Sequence, residues 1–258
     1  MSLAHAAAEA PVETALHRAA PECKLVALLA FVLAVALVPH GQVLPYAVDA
    51  LLLAAVAVWA RATPGFLARR LIVEVPFVAF VVLLPFVTAG PRVEVLGLAV
   101  SEGGLWTAWG ILAKATLAVL ATGVFAATTS APEIIAGMER LRAPRTLTAV
   151  AGFALRYVQV VVEEMRRLQL ARVARGDDAR WLWQARAVAR TAGSVTIRCF
   201  ERGERVHTAM LARGFDGRMP VLGLGAPAGA RSWTVAVACV APAAVVCVLA
   251  ATAGTVTA

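Results

Sequence analysis

Long apolar runs separated by short polar breaks fill the first half of the chain, and the rhythm changes after residue 128. Residues 25–38, 43–60, 71–89, 105–127 and 233–253 are almost wholly apolar. A helix needs about 20 such residues to cross a bilayer core. The blocks therefore predict about five transmembrane helices, the first of them short unless it takes in Cys23 and Lys24. Pro39-His40-Gly41-Gln42 predicts a reversal between the first two. Pro76 and Pro85 predict kinks in the third, and Trp106 and Trp109 anchor the outer end of the fourth.

Between residues 144 and 217 the period is different. Leu147, Val150, Ala154, Val158, Val161, Met165 and Leu168 recur at spacings of three and four, with Arg156, Gln159, Glu163, Arg166 and Arg167 on the other face. That spacing makes an amphipathic helix. A second runs from about Trp183 to Ala212, with Val188, Ala192, Val195, Cys199, Val206 and Met210 as its apolar stripe. A short helix precedes the pair. Ser130 is its N-cap, Pro132 suits its first turn, Glu133 completes a capping box, and it stops near Arg142. The predicted fold is all-α: a polytopic membrane protein with about five transmembrane helices and a coupling module of two long amphipathic helices and a short preceding one. The expected division is an N-terminal arm over 1–22, helices one to four over 23–128, the module over 129–231, and the last helix and tail over 232–258.

Composition agrees. Of 258 residues, 60% are hydrophobic, and the mean hydropathy is +0.78. The net charge is +8. Residues 129–231 hold 17 basic against 9 acidic residues, an excess equal to that of the whole chain. The loop over 61–70 adds Arg61, Arg69 and Arg70, whereas 39–42 and 90–104 contain only Arg92. Basic loops stay on the cytosolic side. The pattern thus predicts a multi-pass protein of the cell membrane with a cytosolic N-terminus and a cytosolic 129–231 segment. Acids at Glu9, Glu13 and Glu22 do not resemble the basic start of a secretory signal. No nucleic-acid-binding motif accompanies the basic segment, so no nucleic-acid partner is expected. Cys23, Cys199, Cys239 and Cys247 form no CxxC pair and read as plain thiols.

Two charged residues fall in apolar blocks. Glu74 lies beside Arg69 and Arg70 and reads as half of an interfacial ion pair. Lys114 is well inside its block and calls for an internal partner, such as Glu74 or a backbone carbonyl. Glu163-Glu164 reads as ordinary helix pairing with Arg166 and Arg167, not as a catalytic carboxylate pair. No G-x-x-x-x-G-K-[ST] phosphate loop occurs, and His5, His17, His40 and His207 are scattered. No enzyme, cofactor or metal site is expected.

The most specific feature is a repeat: both amphipathic helices close on the same three residues, Ala174-Arg175-Gly176 and Ala212-Arg213-Gly214, 38 residues apart. One copy is an ordinary helix end, because glycine accepts the left-handed conformation and arginine suits the last turn. Two copies suggest a pair of guanidinium forks offered to a two-lobed partner. Antiparallel helices would put the arginines at opposite ends; crossed helices would put one on each side of a platform.

These motifs, with Cys23-Lys24-Leu25, the block from Arg69 to Phe77, Arg156-Tyr157, Glu163 to Arg167 and the run from Glu201 to Gly217, resemble the T component of energy-coupling factor (ECF) transporters, in its cobalt-type CbiQ branch. The resemblance spans residues 16–220. It implies a non-catalytic coupling subunit with Ala174, Arg175, Gly176, Ala212, Arg213 and Gly214 as ATPase-coupling residues. The implied partners are two cytosolic ABC ATPase subunits, a membrane-embedded substrate-binding S component and the lipid bilayer. The implied cargo is cobalt, or nickel. A T component for vitamin-type substrates, a self-sufficient secondary carrier and an intramembrane enzyme are the competing readings. No repeated halves favour the carrier, and no converging nucleophile, base or ligands favour the enzyme.

Overall fold

The computed structural model describes residues 14, 16–17, 19–39, 41–88, 91–95, 98–176, 185–215 and 228–256. The chain forms two compact units, one from residues 1–137 with 225–258 and one from residues 138–224.

The first unit is a bundle of apolar helices. α1 (Pro21–Leu37) and α2 (Leu44–Trp59) are followed by α3 (Pro64–Leu71), a 3-10 turn (Ile72–Glu74) and α4 (Val75–Val87). α5 (Glu102–Thr128) follows, then α6 (Ala131–Arg140), whose last three residues belong to the second unit, and α9 (Ala230–Val256) returns to the bundle from the end of the chain. α9 packs on α1 and α2, and α5 touches α1, α2, α3 and α4. Side chains from α1, α2, α5 and α9, among them Val35, Tyr46, Leu117 and Ala243, share one core. The outward faces are as apolar as the core: Leu33, Leu51, Phe80 and Val87 all stand exposed. Such a surface is stable in hydrocarbon rather than water.

Several boundaries differ from those read off the sequence. The basic 61–70 loop is mostly helix, because Pro64 fits a first turn and starts α3. The third apolar block is thus the second half of a longer rod broken by the 3-10 turn at Glu74. The 90–104 segment, expected as a loop, contains an antiparallel hairpin of β1 (Arg92–Val95) and β2 (Leu98–Ser101). Ser101 then caps α5 by accepting a bond from the Gly104 amide. Gly104 also allows a close approach: a Cβ there would lie 2.8 Å from the Pro85 Cα of α4. The expected N-terminal arm lies mostly outside the described residues, but Leu16 is in the core and the His17 carbonyl accepts a bond from Lys24 Nζ.

Among the described residues four helical stretches are long and apolar enough to cross a membrane: Pro64–Val87, Glu102–Thr128, Arg145–Ala174 and Ser232–Ala250. α1 and α2, at 17 and 16 residues, are about 24–26 Å long, a little short of a ~30 Å hydrocarbon core. The appearance of Arg145–Ala174 in this set has a simple cause. Residues 146–162 carry one charge, Arg156, whereas the next ten carry Glu163, Glu164, Arg166, Arg167 and Arg172. That second half does not suit hydrocarbon.

The second unit contains the two long helices, α7 (Arg145–Ala174) and α8 (Ala185–Leu211). α7 has 30 residues and α8 has 27, so each is about 40–45 Å long. The expected start of α8 near Trp183, the Gly176-Asp177-Asp178 break beyond Gly176, and the 216–227 link lie outside the described residues.

Candidate functional site

The two repeated tripeptides terminate α7 and α8 by the same device. Beyond α7, Gly176 has φ +79° and its amide donates to the Val173 carbonyl at 2.9 Å. Beyond α8, Gly214 has φ +82°, its amide donates to the Leu211 carbonyl at 3.0 Å, and the Phe215 amide reaches back to the Met210 carbonyl at 3.0 Å. The α8 pair of bonds is a Schellman ending, which needs a left-handed residue at the glycine position. Space does not require these glycines, since nothing lies within 4 Å of a Cβ built on either. Backbone conformation does.

Each arginine is the last residue before that reversal. Arg175 and Arg213 are exposed, and neither side chain has a partner among the described residues. An uncommitted guanidinium at a helix end keeps all five donors for another molecule.

α7 and α8 meet locally rather than along their lengths, and most of both remains exposed. Arg198 Nη1 of α8 donates to Glu164 Oε1 of α7 at 2.7 Å. The motif arginines lie 11 residues beyond Glu164 and 15 beyond Arg198, so arms of about 17 and 23 Å run from this tie to the two ends. Glu163 pairs with Arg167 along α7 at 2.9 Å, an ordinary exposed helix pair, as expected. Half of the expected capping box forms: the Ser130 amide donates to Glu133 Oε2 at 2.7 Å, but the Ser130 hydroxyl also donates to that carboxylate, at 2.9 Å, where the full box would have it accept from the Glu133 amide.

The charges within the bundle are arranged differently from the sequence reading. Glu74 is buried and accepts from Thr116 Oγ1 at 2.8 Å, not from Arg69 or Arg70; Arg70 lies over the Phe66 ring at 5.1 Å. Placing Glu74 in a 3-10 turn aims it at α5 instead of back along α3. Lys114 Nζ donates to the Ala36 carbonyl at 2.8 Å, which is the backbone partner its position called for. A third residue was missed. Asp49 of α2 is 1% exposed, and neither carboxylate oxygen has a hydrogen-bond partner among the described residues. One acid in an otherwise apolar block was the available signal, and averaging over the block concealed it.

Among the described residues no three His, Cys, Asp or Glu side chains converge on a common point, and all four cysteines are free thiols.

An apolar helix bundle joined in sequence to two long polar helices, each ending at an exposed arginine, defines a polytopic membrane protein. The chain belongs to the CbiQ family, described as cobalt transport protein, whose model matches residues 13–221. A cobalt transport protein CbiQ of Rhodobacter capsulatus is 30% identical over 167 residues, 61% of this chain and 66% of that protein. The energy-coupling factor transporter transmembrane proteins EcfT of Bacillus selenitireducens and Bacillus subtilis are each 28% identical, covering 80% of this chain and 82% and 83% of theirs. The chain is therefore a multi-pass membrane component of the transporter class to which these relatives belong.

Proposed function

We propose that this chain is the non-catalytic coupling subunit of an ATP-driven importer, carrying movement from cytosolic ATPases to a substrate-binding membrane subunit. The cargo that fits best is cobalt, or nickel. The observation that carries the reading is the matched pair of helix ends: two glycines at positive φ, each directly after an exposed arginine without a partner among the described residues. Ala174, Arg175 and Gly176 would engage one ATPase subunit and Ala212, Arg213 and Gly214 the other, each guanidinium gripping a carboxylate or a ring of carbonyls. The small neighbours let a protein surface close on them. The tie between Glu164 and Arg198 lets a push on one arm move the other.

Residues 129–231 would be the cytosolic module, with 1–22 as the arm, 23–128 as the first four spans and 232–258 as the last. The charge asymmetry supports a cytosolic N-terminus. The family and the Rhodobacter relative support cobalt. The EcfT relatives match more of the chain, and they support a second reading in which the same coupling part serves another substrate.

The test is Arg175→Glu with Arg213→Glu in cells that depend on the transporter. Uptake should fall by at least about 100-fold, and co-purification of the ATPases should be lost, since reversing a paired charge costs several kcal/mol. Membrane insertion should be normal. Full uptake in the double variant ends the proposal.

A further inference from the structure

The bundle carries an apolar groove between α2 and α9. Leu52, Ala55, Val56 and Trp59 of α2 form one wall, and Val235, Ala238 and Cys239 of α9 form the other. Its volume is about 290 Å³. A second cavity of about 100 Å³ shares Leu52, Val56, Val235 and Cys239 with it and extends the groove inward past α1. No charged residue lines the outer groove.

One end of the groove is different. Trp59 is its last residue on α2, and Arg61 follows two positions later. α2 ends as α8 does: the Arg61 amide donates to the Val58 carbonyl at 3.0 Å and the Ala62 amide to the Ala57 carbonyl at 3.0 Å. The left-handed position of this ending is filled by Arg61, at φ +51°, where glycine would be unstrained. The Arg61 side chain is exposed and has no partner among the described residues. A backbone strain retained at an uncommitted cation points to a use for the side chain. Trp59 adds the amphipathic ring found at headgroup level.

We propose that the α2–α9 groove and Arg61 form a binding site for an anionic phospholipid, with an acyl chain in the groove and the phosphate on Arg61. The polarity supports a lipid over a partner helix. An apolar outer trough with the uncommitted Arg61 following at its Trp59 end matches a tail and its phosphate, whereas Lys24, which lines the inner extension, already donates to the His17 and Thr128 carbonyls. The site needs only a bilayer, so it does not depend on the coupling role.

The experiment compares thermal unfolding midpoints in nanodiscs of phosphatidylcholine alone and with phosphatidylglycerol added. The wild-type midpoint should rise by about 3 °C or more with the anionic lipid. Arg61→Gly should lose that rise while its midpoint in phosphatidylcholine stays at or above wild type, because glycine relieves the backbone. Ala55→Trp, which fills the groove, should also lose it. Arg69→Gln, a nearby basic residue away from the groove, should keep it. If Arg61→Gly retains the full rise, or if Arg69→Gln loses it equally, the lipid senses general surface charge and the site is refuted. If the wild type shows no rise, the groove is occupied by something else and the proposal is also refuted.

Discussion

Asp49 is an acid buried inside the helix bundle, with no hydrogen-bond partner among the described residues. An unpaired buried carboxylate costs stability, and removing its charge without changing its shape should return some of that cost. Asp49→Asn should therefore raise the unfolding free energy by about 1–3 kcal/mol, read as a higher thermal midpoint in detergent. A lower midpoint would mean that a donor does reach Asp49 in the membrane. At the two tripeptides the expectation is reversed. Gly176→Ala and Gly214→Ala force a Cβ into the left-handed region and should each cost about 1 kcal/mol, with fraying of the last helical turn visible in amide exchange. Residue-level detail was legible where one side chain announces its own job. The Glu133 half of the Ser130–Glu133 capping box read correctly, and so did both glycines as helix ends. Arg61 and Arg142, also at positive φ, could not be found this way, because neither is a glycine or an asparagine.

The elements show how far periodicity reaches. Apolar blocks located the membrane helices to within a few residues, because hydrocarbon demands unbroken runs. They failed at the third block, where Pro64 opened a helix earlier than the arginines suggested and a 3-10 turn redirected Glu74. They failed also at the hairpin, whose strands of four residues each are too short for alternation to stand out from a loop. Helix contacts themselves were invisible, since the same runs face lipid and neighbours alike. One contact is testable at this scale. The Gly104 Cα sits against the Pro85 backbone, and backbone does not swing aside as a side chain can. Gly104→Val should prise α5 from α4 and lower stability by about 1–3 kcal/mol, while Gly103→Val, with open space around it, should be close to neutral. Equal effects at both positions would rule out the close approach.

For the whole molecule, the coupling proposal requires the orientation that the charge map favours. Single cysteines introduced at Gly41 and Arg175 in a chain without its four native cysteines should label from opposite sides: Gly41→Cys from outside intact cells and Arg175→Cys only after permeabilisation. Labelling of both from one side would invert or dissolve the proposed topology. The family was readable because two unusual tripeptides at a fixed separation are rare by chance. The cargo was not, because nothing in this chain converges on a metal ion among the described residues.

The left-handed glycine that ends α8 also fixes a bearing. Each residue in an α-helix turns its successor by about 100°. With Gly214 as a hard stop, the direction of Arg213 around the axis is set by the number of residues between it and Arg198, which is held to α7. One alanine inserted after Thr208 would swing the guanidinium about a quarter-turn away while leaving the charge and the terminal hydrogen bonds as they were. Four inserted alanines, a little more than one full rotation, would bring it nearly back into phase about 6 Å further out. Coupling that lapses with one added alanine and partly returns with four would identify α8 as a shaft whose angular setting, and not merely its reach, transmits the work.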